Sequence, residues 1–162
     1  ILVASSINEK FKQNLKLKIM SEQEGMMAVF AALGVFIFIV AIIAIIVAIF
    51  YLLNLQNLLK EIKDENRDVN PGNVWLMLIP LFSIVYAFIL YPKISSSVKK
   101  EFESRGDTSK GDGGKNIGLA LAVTGAVSIL PIPVIGTLVG LANLVLFIIW
   151  WVKTAGYKKS LK

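Results

Sequence analysis

Residues 69–82 read Val69-Asn70-Pro71-Gly72-Asn73-Val74-Trp75-Leu76-Met77-Leu78-Ile79-Pro80-Leu81-Phe82. The stretch opens as a turn, becomes apolar at Val74, and then carries Pro80 inside an apolar run that continues to Tyr91. A proline inside a soluble helix usually ends or kinks it. In a membrane helix it is tolerated, because neighbouring helices and local adjustments re-satisfy the freed carbonyls. The stretch therefore reads as the entry to a membrane helix over 74–91. Asn70 is pushed out of the helical region by Pro71, Gly72 permits a positive φ, and Asn73 can cap the helix. Trp75 and Tyr91 sit at its ends, as interfacial aromatics do. Pro80 is expected to bend this helix without breaking it, and the bend is expected to pack on a neighbour such as the Gly118/Ala122 face.

The rest of the chain supports the membrane reading. Of 162 residues 56% are hydrophobic, and the mean hydropathy is +0.70. A soluble domain of this size has no interior for so many apolar side chains. The charges are also segregated. Residues 25–59, 74–91 and 116–152 carry no Asp, Glu, Lys or Arg, and charge-free apolar runs of ~18 residues or more are candidate spans.

The fold expected is all-α: an integral membrane protein with four transmembrane helices at about 26–66, 74–91, 117–130 and 135–152. The first outlasts a ~30 Å hydrocarbon core. Beyond Leu53 it continues as an amphipathic stripe of Leu55, Leu58, Leu59 and Ile62. Pro92 closes the second apolar run. Residues 93–105 follow as an amphipathic segment whose Ile94, Val98 and Phe102 lie on one face, on the membrane surface or extending from it. Asp107 to Gly114 reads as a flexible polar loop. The third and fourth helices meet at Pro131-Ile132-Pro133. The third is short for a span, so this pair either crosses with local thinning or forms a re-entrant hairpin.

Residues 1–25 form a polar N-terminal segment, and residues 26–162 are expected to be one membrane domain. Met20-Ser21-Glu22 resembles a natural start. Residues 1–19 are then either upstream of it or a short basic helix on the membrane surface; they are not a signal peptide.

With four spans, fourteen basic residues fall on the side of the N-terminus, the second loop and the C-terminus. Lys60, Lys63 and Arg67 alone fall on the other. The positive-inside rule then puts both termini in the cytoplasm, with Lys60–Asn73 outside.

The chain has no cysteine and no histidine, which removes thiol nucleophiles, imidazole bases and the usual zinc ligands. No phosphate-loop or dinucleotide fingerprint occurs. The acidic cluster Glu61, Asp64, Glu65 and Asp68 is the best candidate for a cation. It alternates with Lys60, Lys63 and Arg67, however, and reads better as a paired, solvated helix face. No catalytic residue, cofactor or metal is expected, and no nucleic-acid partner.

Small residues mark expected helix packing: Gly118, Ala122 and Ala126 on the third helix, and Gly136 and Gly140 on the fourth. Asn143 should hydrogen-bond across the contact. Lys93, Lys99 and Lys100 are candidates for lipid headgroup contact, against the plainer reading of positive-inside bias.

Several of these residues recur in another context. Asn70-Pro71, Trp75, Ile79-Pro80, Ser95, Glu101-Phe102, Arg105-Gly106, Gly118-Leu119, Trp150 and Lys153-Thr154-Ala155-Gly156-Tyr157 occur in the order seen in a family of small uncharacterised bacterial integral membrane proteins, which residues 69–162 resemble. Some members carry a GYF-like domain ahead of the membrane part. This chain has a long first span there instead, so a peptide-binding role does not carry over. The resemblance implies a bacterial inner-membrane protein and supplies no activity. The function expected is non-catalytic: a scaffold or accessory subunit acting through helix contacts with a second copy or a membrane partner. A small oligomeric channel or transporter is the alternative.

Overall fold

The computed structural model describes residues 2–130 and 133–162, with side chains over 10–130 and 134–162. Pro131 and Ile132 of the expected turn lie outside the described residues. The chain is all-helical. Helix α1 runs Leu2–Glu61, followed by 3-10 helices at Asp64–Asn66 and Pro71–Leu78, then α2 (Phe82–Ser104), α3 (Lys115–Val127) and α4 (Pro133–Leu161). Among the described residues two helices, α1 and α4, are long and apolar enough to cross a membrane.

The chain divides into two units, 1–47 and 48–162. The boundary falls inside α1, not at the end of the polar segment. The first unit is one helix whose described side chains are all exposed. It is polar to Glu24 and charge-free and mostly apolar beyond.

The second unit has a core. The stripe read from sequence is buried as expected: Leu55, Leu58, Leu59 and Ile62 are at most 1% exposed. They belong to one core cluster with Leu90, Ile94, Val98 and Phe102 of α2, and with Trp150, Tyr157 and Leu161 of α4. The Ile94/Val98/Phe102 stripe therefore faces protein; of the two expectations, a segment lying on the surface and one extending α2, the continuous helix agrees with the second. Pro92 does not end a helix: α2 runs through it. The hydroxyls of Ser95 and Ser97 donate to the carbonyls of Tyr91 and Lys93, one turn back, a bonding pattern that accommodates bends in helices.

The opening stretch departs most from its sequence reading. Residues 74–91 are not one bent helix. A 3-10 helix ends at Leu78, and α2 starts at Phe82. Between them Leu81 takes φ 64° and the Phe82 N–H donates to the Pro80 carbonyl at 2.7 Å. This is a γ-turn of the positive-φ kind, which is rare and strained. Pro80 thus stands in a chain reversal and is exposed, so it is neither a helix bend nor a packing residue. The Leu76 carbonyl it was expected to orphan accepts from the Ile79 N–H at 3.2 Å instead. The tighter 3-10 ladder, with its i→i+3 bonds, closes before the proline.

The reversal brings the two polar loops together. Lys100 Nζ lies 2.6 Å from Asp68 Oδ1, and the Asp68 N–H donates to Ser97 Oγ at 2.8 Å. The Lys63 N–H donates to Glu101 Oε2 at 3.0 Å. No apolar layer can separate groups in direct contact. Residues 63–68 and 97–104 therefore meet on one face of the fold. From Tyr91 to Phe82, α2 covers only about 14 Å, half of a ~30 Å hydrocarbon core.

The loop after α2 is built, not loose. Asp107 N–H donates to Phe102 O at 2.9 Å and Gly106 N–H to Glu103 O at 3.0 Å, a Schellman end with Gly106 at φ 78°. A Cβ on Gly113 would fall 2.2 Å from the Ser95 carbonyl, so only glycine lets this loop lie on α2. Asp112 then accepts from the N–H groups of Gly114 and Asn116 at 2.8 and 2.9 Å and caps α3. At the far end, α4 continues to Leu161, about two and a half turns beyond the expected Val152.

Candidate functional site

Two features of the second unit stand out: a polar junction between its loops and helices, and an apolar cleft between α2, α3 and α4.

Glu101 is the centre of the junction. Its side chain is fully buried, and it forms an ion pair with Arg105 at 2.9 Å. It also accepts from Asn66 Nδ2 at 2.8 Å and from the Lys63 N–H at 3.0 Å. Burial alone would raise its pKa; the bonds from Asn66, Lys63 and Arg105 outweigh that and hold it below the usual carboxylate value. Arg105 ties this site to the end of α4 by donating to the Leu161 carbonyl at 2.9 Å. A second link lies nearby, where Asn54 Nδ2 donates to Thr154 Oγ1 at 3.0 Å and Lys158 Nζ donates to Asn54 Oδ1 at 3.1 Å. Asp68 is likewise held low: burial opposes ionisation, and the Lys100 hydrogen bond and charge overcome it. Three of the four residues of the expected acidic cluster are paired in this way. Asp64 meets Arg67 at 2.6 Å and Glu65 meets Lys63 at 3.9 Å. Among the described residues no group of carboxylates is arranged to hold a metal.

An aromatic layer adjoins the junction. Tyr51 packs against Phe147 and Trp151, and Tyr91 against Trp150. Gly118 makes this layer possible. A Cβ there would come within 2.9 Å of Tyr91 Cβ and 3.1 Å of the Trp150 ring, so α2 and α4 both press on α3 at this point.

The cleft has a volume of about 300 Å³. Its walls include Met77 of the 3-10 helix, Ile84 and Ala87 of α2, Ala122 and Ala126 of α3, and Phe147 of α4. Asn143 lies on its edge and behaves as expected. Its amide donates across to Leu121 O at 3.0 Å and to Thr124 Oγ1 at 2.8 Å. The small residues thus divide. Gly118 and Ala122 are buried and Ala126 lines the cleft. Gly140 has nothing within 4 Å of where a Cβ would stand, and at Gly136 the nearest atom, the Leu130 carbonyl oxygen, is 3.6 Å away. The Gly136/Gly140 face is therefore not a close contact within the chain; α4 meets α3 further along, at Asn143 and Trp150.

The three candidate lysines divide as well. Lys100 is taken by Asp68, and Lys99 by Glu103 at 3.7 Å. Lys93 lines a surface pocket of about 510 Å³ with Asp68, Pro92, Ser96 and Lys115. Sequence reading missed Lys115. Its only signal was its place as the first residue of the third helix. The central role of Glu101 was also missed, because one carboxylate among lysines reads as surface charge.

No family model, no curated protein and no solved structure matches this chain.

Proposed function

We propose that this is a non-catalytic integral membrane protein, held by one crossing of α1, whose second unit is a scaffold seated partly in the bilayer with its charged loops on one face. The carrying observation is the direct contact of residues 63–68 with residues 97–105 around Glu101 and Asp68. With the links from Arg105 to Leu161 and from Lys158 to Asn54, it supports placing thirteen of the seventeen basic residues, from Lys60 to Lys162, on one side. The positive-inside rule then makes that side cytoplasmic. The remaining four, Lys10 to Lys18, precede the crossing, so the N-terminus lies on the other side. This replaces the expectation of four crossings with both termini inside.

Exposed apolar side chains support the seating. Leu78, Ile79, Leu81, Phe82 and Val85 cluster about the reversal before α2, and Ile129, Leu130, Val134 and Ile135 lie where α3 ends and α4 begins. The first fits a short apolar hairpin that dips from one face; α4 is long enough to reach across, so the α3–α4 pair would dip deeper from the same face. The scaffold reading is favoured over a channel by Asn143. Its amide is bonded to α3 and is not held out for a solute. The resemblance to bacterial inner-membrane proteins agrees with this reading.

The test is reconstitution of the full chain into liposomes together with purification in mild detergent. The scaffold reading predicts no ion or small-solute flux above empty liposomes, and a stoichiometric membrane partner or self-association. Flux that scales with protein would sink it in favour of the channel.

A further inference from the structure

The cleft and the basic pocket are neighbours along α2: Tyr91 lines the first, and Pro92 and Lys93 line the second. We propose that together they bind one anionic diacyl glycerophospholipid, with an acyl chain in the cleft and the phosphate against Lys93 and Lys115. This rests on the membrane reading above.

The cleft asks for an apolar occupant. At about 300 Å³ it reaches the size of small-molecule sites. Its lining is mostly Ala, Ile, Leu, Met and Phe, and the Asn143 amide on its edge is already bonded to Leu121 and Thr124. A polar solute entering it would leave water and find no free donors from that amide.

The pocket asks for an anion. Asp68 contributes its carboxylate to the same wall, but Lys100 neutralises it at 2.6 Å. Lys93 and Lys115 are exposed; among the described residues neither has an ion-pair partner within 4.0 Å, and the Lys93 charge acts on Asp68 only at longer range, behind Lys100. Lys115 opens α3, whose first N–H groups are already capped by Asp112, so the lysine side chains themselves supply the positive charge. Ser96, half-buried beside them, turns its hydroxyl to the Asp68 carboxylate and so further offsets that negative charge. Charge and apolarity therefore meet in the order that a phospholipid presents them. Tyr91 and Pro92 lie at the boundary, where the charge-free run gives way to Lys93.

Two lysines near an anionic headgroup contribute ~1 kcal/mol each, which corresponds to a preference of about 30-fold. The experiment measures retention of dioleoyl phosphatidylglycerol against dioleoyl phosphatidylcholine on the detergent-purified full chain by native mass spectrometry. Wild type should favour phosphatidylglycerol about 30-fold. Lys93→Gln with Lys115→Gln, both at exposed positions, should bring the two lipids level while thermal unfolding stays unchanged. Ala126→Phe, which fills the cleft, should lower retention of both lipids. Millimolar glycerol 3-phosphate should not displace the bound lipid. Equal retention by wild type, a preference that survives the double substitution, or displacement by glycerol phosphate alone would each overturn the proposal. Failure of the membrane reading shows itself separately, as release of the protein from membranes by alkaline carbonate.

Discussion

Replacing Glu101 by leucine should be among the most damaging single changes in the second unit. Its carboxylate accepts from three groups: the Lys63 N–H, the Asn66 amide and the Arg105 guanidinium. Leucine fills the space but leaves the Lys63 N–H without an acceptor and breaks the ion pair; Asn66 keeps Ser104 Oγ at 3.2 Å and Arg105 keeps the Leu161 carbonyl at 2.9 Å. Breaking a buried, hydrogen-bonded charge pair costs ~3–5 kcal/mol. Arg105 is 39% exposed and can turn to water, which places the expected loss at the low end, about 3 kcal/mol. For a chain of this size that is a fall in Tm of about 6–12 °C, read by circular dichroism in detergent. Glu101→Gln keeps the shape and one acceptor and should lose about half as much. The pH dependence adds a second check. Glu101 is held below its ordinary pKa in the fold, so its stabilisation is complete above the unfolded value of ~4.3. It is lost as pH falls through the lower, folded value. Wild type should therefore lose Tm in acid more steeply than Glu101→Gln. Equal melting of Glu101→Leu and wild type would refute the junction as the link between loop and helix.

Gly118→Ala should cost about 1–3 kcal/mol by overpacking, because its Cβ would crowd Tyr91 and Trp150; Gly140→Leu, with open space around it, should melt like wild type as a monomer. Asn143→Leu and Thr124→Val should show a coupling of about 0.6–2 kcal/mol in a double-mutant cycle in detergent, and additive losses would deny the bond between them. Leu81→Gly should raise Tm, since glycine takes φ 64° without the ~1–3 kcal/mol of strain a leucine carries there; a lower Tm would mean that the Leu81 side chain matters more than its backbone.

Helical class, the buried stripe of α1, the Gly118 contact and the Asn143 bond were legible because each is local. They follow from periodicity, from missing charge or from a small residue beside a polar one. The reversal at Ile79–Leu81 was not, because a proline in an apolar run has two outcomes and hydropathy is the same for both. A bent span and a hairpin dipping to half depth bury the same residues. What separates them is the pairing of Asp68 with Lys100 and of residues 63–66 with Glu101, between segments some thirty residues apart. Pro92 shows the converse. Composition suggested a stop, but the stripe from Leu90 through Ile94 to Phe102 packs without interruption, and burial of that face outweighs one lost backbone bond.

The side on which residues 60–70 lie tests the account most directly. The chain has no cysteine, so single cysteines can be read without background. Glu65→Cys and Ser109→Cys both sit at exposed positions, one in each of the two loops. An impermeant maleimide applied to intact cells should label neither, and after permeabilisation it should label both alike. Labelling of Glu65→Cys in intact cells while Ser109→Cys stays protected would restore the four crossings and contradict the single polar face.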